Sequence, residues 1–164
     1  YRFADDDRIP NNPRLSLLVY ARALDPDDAD LATSFERLFA ANGWVPAWRN
    51  GIYPFPHYHS TAHEVLGIAA GRPKVRLGGD RGVILELSPG DALLIPAGVG
   101  HQRVSAGRDL LVVGGYPPGQ DADLRRGNAD ERPGVLAAIA ALGDPATDPV
   151  TGRAFGDVDG HPRP

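Results

Sequence analysis

Between Trp44 and Tyr116 the chain is cut by turn signals every eight to twelve residues, and this rhythm limits the possible folds more than any single motif. Short runs with β-branched or alternating apolar residues cover 52–59, 63–70, 74–77, 83–87, 92–95, 100–104 and 109–114. Gly71-Arg-Pro73, Gly78-Gly-Asp-Arg-Gly82, Ser88-Pro-Gly90 and Pro96-Ala-Gly98 separate them. Glycine tolerates positive φ and proline lacks a ladder donor, so such clusters end strands and reverse the chain. The pattern predicts an antiparallel sandwich or barrel, with 78–82 as the clearest hairpin tip. Gly 20 and Pro 16 in 164 residues favour many short strands over long helices.

The flanks read differently. Residues 1–13, with Asp5-Asp6-Asp7 and Asn11-Asn12-Pro13, hold almost nothing to bury and read as an arm or loop carrying a solvated acidic run. Leu15–Tyr20 is rich in strand formers and predicts an edge strand. A helix is expected over 26–42: Asp25 is a natural N-cap and Pro26 suits the first turn. Leu31, Phe35, Leu38 and Phe39 then share one face before Gly43 ends the helix. The aspartates at its start lack the glycine and terminal glutamate of an EF-hand calcium loop. Trp44 and Trp48 read as packing anchors between this helix and the strands.

After Tyr116 the β rhythm stops. A second helix is expected over 131–142, with Pro133 in its first turn and Val135, Ile139 and Leu142 on its buried face. Residues 144–164, which include His161, read as an extended surface tail. The expected fold class is all-β (mainly β): one domain over 1–164, a barrel core at about 44–116, and both helices outside.

Composition removes several functions. The chain has no cysteine, so disulfides, thiolate metal ligands and cysteine nucleophiles are excluded. With a net charge of −4 and scattered basic residues, of which Arg125-Arg126 is the nearest thing to a cluster, there is no nucleic-acid footprint. No apolar run approaches the roughly 18 residues that cross a membrane as a helix. The expected setting is cytoplasmic. The chain starts at Tyr1 and contains no Met, so the natural N-terminus is expected to lie upstream, and a removed leader stays open.

Three of the five histidines and a glutamate fall between His57 and Glu64. Residues two apart on a strand share a face, so His57 and His59 point the same way, and Pro54 and Pro56 forbid a helix there. If a turn at Ser60-Thr-Ala62 folds the chain back, Glu64 faces the same interior point and His63 faces away. His101 is the one central histidine left to complete the set. Three imidazoles and a carboxylate suit one divalent transition metal, Fe, Mn, Ni or Zn, with positions left open. Two other arrangements compete: a polar barrel interior held by hydrogen bonds alone, and a helical zinc pair of His59 and His63. The second needs a helix through Ser60-Thr-Ala62 and leaves the glutamate misplaced for His-Glu-x-x-His. Tyr53 and Phe55 share the parity of His57 and are candidate pocket residues, as are Arg103, on the parity of His101, and Tyr116. Arg103 could clamp a carboxylate or phosphate. Glu86 reads as exposed.

Gly51-x5-His57-x-His59-x4-Glu64-x6-Gly71 resembles the first motif of the cupin superfamily at every position. Gly90-x5-Pro96-x-Gly98-x2-His101 is similar to the second, up to its final place, where Ser105 stands instead of the usual Asn. Trp48-Arg-Asn-Gly-Ile-Tyr53, His57 to Gly67 and Gly115-Tyr-Pro-Pro-Gly-Gln-Asp121 resemble the small bacterial YjlB-like cupins. The resemblance implies a cupin-type antiparallel β-jelly-roll barrel of six to eight strands. It also implies metal binding by His57, His59, Glu64 and His101, and a homodimer, but no settled reaction.

The expected function is therefore that of a metal-dependent enzyme, of dioxygenase or isomerase type, acting on a small polar metabolite. The alternative is a non-catalytic small-molecule binding or sensor protein. A structural or storage role is the third reading.

Overall fold

The computed structural model describes residues 1–155, so His161 and the end of the expected tail lie outside the described residues. The strands are β1 (Leu18–Tyr20), β2 (Ala47–Asn50), β3 (Glu64–Ala70), β4 (Lys74–Leu77), β5 (Val83–Glu86), β6 (Ala92–Ile95), β7 (His101–Ser105) and β8 (Leu111–Gly115). Helix α1 (Leu31–Ala41) lies between β1 and β2, and α2 (Gly134–Ala141) follows β8. All pairings are antiparallel: a five-stranded sheet in the order β1-β6-β3-β8-β2 and a three-stranded sheet in the order β5-β4-β7.

The larger sheet is buried on both faces, which explains the unbroken apolar run of β6. Leu66, Ile68, Leu93, Ile95 and Val112 pack between the sheets with Val75 and Leu77. Val65, Leu94 and Val113, one residue out of phase, pack with Phe35, Phe39 and Trp44 beneath α1. Gly67 sits directly under the helix: a Cβ there would come 2.5 Å from the Phe35 ring. Arg49 on β2 ties the same layer together through a two-pronged ion pair with Glu36 of α1, at 2.6 and 2.9 Å.

Five expectations need correction. Helix α1 begins at Leu31, not near Pro26, with Asp30 as the cap whose carboxylate accepts from Thr33 N–H at 3.1 Å. Asp25 and Asp28 instead accept from the backbone two residues ahead, at 3.1 and 2.9 Å, which holds that stretch in turns. Helix α2 likewise begins at Gly134, after a 3-10 turn over Ala129–Glu131.

Residues 1–13 are not a loose arm. Ile9, Asn11 and Asn12 are buried. Asn11 donates to Gly78 O at 3.1 Å, and Asn12 donates to Ala97 O at 2.9 Å while accepting from Leu15 N–H at 2.7 Å. Of the acidic run, Asp5 pairs with Arg132 at 2.7 Å and Asp6 accepts from Ile9 N–H at 2.6 Å.

Residues 144–155 are not a surface tail either. Asp148 is fully buried and takes the Tyr20 hydroxyl, and Thr147 O accepts the Trp44 indole N–H at 3.0 Å.

Finally, 52–59 is not a strand, because Pro54 and Pro56 cannot donate to a ladder. It runs along the open edge of β7, joined by His57 N–H to His101 O at 3.1 Å and the reciprocal bond at 2.9 Å.

Candidate metal centre

Although 52–59 is not a strand, the side chains of 57–59 alternate as strand parity requires. His57 and His59 face the space between the sheets, and Tyr58 between them faces out. Tyr58 is buried there against Ile9 and Val135 of α2, with its hydroxyl donating to Glu131 at 2.6 Å. Glu64 has the parity of Leu66 and Ile68 and returns to the same space from the start of β3. His101 enters from the start of β7. His57, His59, Glu64 and His101 are all buried.

The imidazoles of His57, His59 and His101 each bring a ring nitrogen within 4.8 Å of the others, close enough to hold one metal ion. The orientation of each ring is set by the backbone. His57 Nδ1 donates to Phe55 O at 3.0 Å, His101 Nδ1 to Val99 O at 3.1 Å, and His59 Nδ1 to Asp123 O in a short contact. Those bonds place the proton on Nδ1 and turn the Nε2 lone pairs inward, the arrangement found behind metal-ligating histidines. The His59 loop is held twice more: Ser60 N–H donates to the Asp123 carboxylate at 2.6 Å, and Gly98 N–H to His59 O at 2.7 Å. Gly98, at φ +89°, passes so close to Asn11 that a Cβ would lie 2.5 Å from its carbonyl oxygen.

Glu64 Oε2 lies 3.1 Å from His101 Nε2 and 3.4 Å from His59 Nε2, yet accepts no well-formed hydrogen bond. Burial alone would push its carboxyl up, but without a metal the charge of a protonated His59, with His101 beside it, holds it well below the usual carboxylate range. Burial, reinforced by His101, pushes the His57 imidazole down to about 3. For His59, burial acts in the same direction but is outweighed by Glu64, so its basicity rises.

Beside these residues opens a cavity of about 560 Å³. Of the expected pocket residues, Tyr53, Arg103 and Tyr116 line it. Tyr53 stands 51% exposed. Tyr116 lies edge-on to His59, with ring centroids 5.9 Å apart, and burial followed by the Glu64 charge keeps its hydroxyl protonated far above neutrality. Phe55 does not line the cavity. Its ring stacks on Tyr53 at 4.9 Å and carries the Arg126 guanidinium 3.7 Å above it, where the chain bends at Pro54 and Phe55.

His63 faces away, as parity requires, and accepts from Ala97 N–H at 3.0 Å beside the Phe155 ring. Trp48 departs from its expected role: Trp44 anchors α1, but Trp48 walls the cavity. Its register partner is Gly114, whose missing side chain makes room for the indole. The alternation Trp48-Arg49-Asn50 carried that signal, but β2 was hidden by its brevity. Arg108, in the β7–β8 loop, also lines the cavity and had no sequence signal.

Two antiparallel sheets packed face to face, with the metal-competent histidines supplied by a Gly–His-x-His–Glu segment and by Pro96-x-Gly98-x2-His101, make this a cupin. The chain is 40% identical over 153 residues to the uncharacterised protein YjlB of Bacillus subtilis, covering 93% of this chain and 90% of that one, and it belongs to the YjlB family. No protein-family profile matches it. Among solved structures, acireductone dioxygenase from Bacillus anthracis, with a cadmium ion in its active centre, is 16% identical. That likeness covers 65% of this chain and 82% of that one, with a TM-score of 0.45. A DUF861 family protein from Thermotoga maritima is 14% identical over 62% of this chain and 99% of that one, with a TM-score of 0.37. At these values the likenesses say nothing of chemistry. No helix among the described residues is long and apolar enough to cross a membrane.

Proposed function

We propose that this cupin holds one divalent transition metal, Fe, Mn, Ni or Zn, through His57, His59, Glu64 and His101, and acts as an enzyme of dioxygenase or isomerase type on a small polar metabolite. The observation that carries this is the pairing of three backbone-anchored Nδ1 atoms with a buried Glu64 Oε2 that lacks a well-formed partner. A neutral polar interior would have no reason to leave that oxygen unmatched. Three imidazole nitrogens and one carboxylate oxygen suit such an ion and leave positions for substrate. Bound there, such an ion would supply polarisation of a substrate oxygen, or dioxygen activation if it is iron.

The chain's own residues bind, orient and shield. Trp48, Leu66 and Leu110 form apolar wall, which strengthens polar contacts by excluding water. Tyr116, protonated beside Glu64, can donate a hydrogen bond to a substrate oxygen. A homodimer and a cytoplasmic setting belong to the same reading, and the dimer is tested by light scattering in solution.

The decisive experiment is metal analysis of the purified protein, followed by an oxygen-consumption screen of the iron form against small polar metabolites. We expect close to one equivalent of metal, lost in His57→Ala. Substoichiometric, weakly held metal, with ligand affinity intact in His57→Ala, would leave the non-catalytic binding protein as the better reading.

A further inference from the structure

We infer that the cavity is built for a small organic anion, whose carboxylate or phosphate group is gripped by Arg103 with Arg108 at the rim. The inference names a substrate class for the site proposed above. It rests on that reading for the ion's share of the charge, but not for the arginines.

Arg103 stands on β7 two residues after His101 and pairs in register with Val75, which is fully buried between the sheets. Its backbone N–H donates to Tyr53 O at 2.9 Å, which fixes the strand beside the cavity. The side chain therefore runs along the same interior face as the histidines. Its Nε is buried and has no hydrogen-bond partner. Arg14, Arg49, Arg125 and Arg132, all on the outside, each hold a carboxylate. Among the described residues no acidic side chain pairs with Arg103 or Arg108. A buried guanidinium nitrogen without an acceptor is costly, and a carboxylate or phosphate matches its fork with two parallel bonds.

The charge of the lining points the same way. Two guanidinium groups face the one carboxylate of Glu64, so the cavity is cationic even before a divalent ion adds to it. Apolar walls concentrate that field on whatever enters. His101 and Arg103 are separated by two residues, roughly 6–7 Å along a strand. A short acid with a second oxygen function can therefore reach both the arginine and the metal position.

The test is calorimetric titration of the full chain with malonate and, separately, with inorganic phosphate, in metal-loaded and metal-free forms, with metal content measured on every sample. We expect Arg103→Gln to weaken anion binding at least tenfold at unchanged metal content, Arg103→Lys to weaken it less, and Arg108→Gln to weaken it about threefold. A preference for malonate assigns a carboxylate, and a preference for phosphate assigns a phosphate ester. Equal binding by wild type and Arg103→Gln, or no binding of either anion to the wild-type protein, overturns the inference. If Arg103→Gln fails to fold, the exposed Arg108 carries the comparison, and unchanged binding in Arg108→Gln overturns it as well. Should the protein take up no metal, the metal reading fails on its own, and the metal-free titration still decides the role of Arg103.

Discussion

Glu64 Oε2 and His101 Nε2 are 3.1 Å apart, and with the His101 proton committed to Val99 O both atoms present lone pairs. Two acceptors at that distance need a cation between them, either a proton or a metal ion. The metal ion proposed above, held also by His57 and His59, would be such a cation.

Loading with metal is therefore expected to stabilise the fold. A ligand present at one hundred times its dissociation constant adds about 2.7 kcal/mol. For a chain of this size that raises the melting temperature by about 5–10 °C. Thermal scans with and without chelator measure it. His101→Ala should show no difference between the two, and a wild-type protein indifferent to chelator would refute the site.

The metal-free protein should lose stability as pH falls below about 6.5. An unfolded His57 takes up its proton near the ordinary histidine value, whereas the folded one resists down to about 3, held by burial and by His101. Between those values the unfolded state binds more protons, so stability falls on acidification by at most about 1.4 kcal/mol per pH unit for this one group. Glu64, lowered in the fold, acts in the same sense as pH drops toward its own titration. His59, raised, contributes stability that is present at low pH and lost as pH rises through its folded value. Urea midpoints from pH 7 to pH 4 follow the sum, and His57→Ala should flatten the slope.

Asp123→Ala should weaken metal binding without touching a ligand. Its carboxylate holds Ser60 N–H at 2.6 Å and Arg125 at 2.8 Å, while its carbonyl takes the His59 Nδ1 proton. Losing such supporting contacts typically costs about 10- to 100-fold in affinity. Competition against a chromophoric chelator reads this directly, and unchanged affinity would mean that the His59 ring is held by its other neighbours.

Gly67→Ala should destabilise by about 1–3 kcal/mol, the usual range for overpacking. The added methyl would meet Phe35 at 2.5 Å, and that ring is fully buried between α1 and the sheet, with nowhere to retreat. Urea unfolding gives the value, and a neutral result would show that α1 can lift off its sheet at little cost.

Much of this architecture was legible in the chain. The runs at 74–77 and 92–95 coincide with β4 and β6, since apolar periodicity between strong turn signals leaves little freedom. Edge placement of β1 and the outward turn of His63 followed from composition and parity. The misses share a cause. Asp25, Asp28 and Asp30 were all competent caps, and only the packing of Leu31 and Phe35 selected the last. Asn11 and Asn12 looked like solvated loop residues because their partners, Gly78, Gly100 and Ala97, lie far along the chain.

The sequence by itself determined which four side chains converge: the spacing of His57, His59 and Glu64, the prolines that deny them a helix, and the second motif that carries His101. Strand parity is a local property, so it needs no tertiary information. Only the tertiary structure decided that the Nδ1 atoms are tied to backbone carbonyls, that Phe55 turns away under Arg126, and that Trp48 and Arg108 face the cavity. Each of those depends on contacts between residues distant in the chain, which periodicity cannot encode.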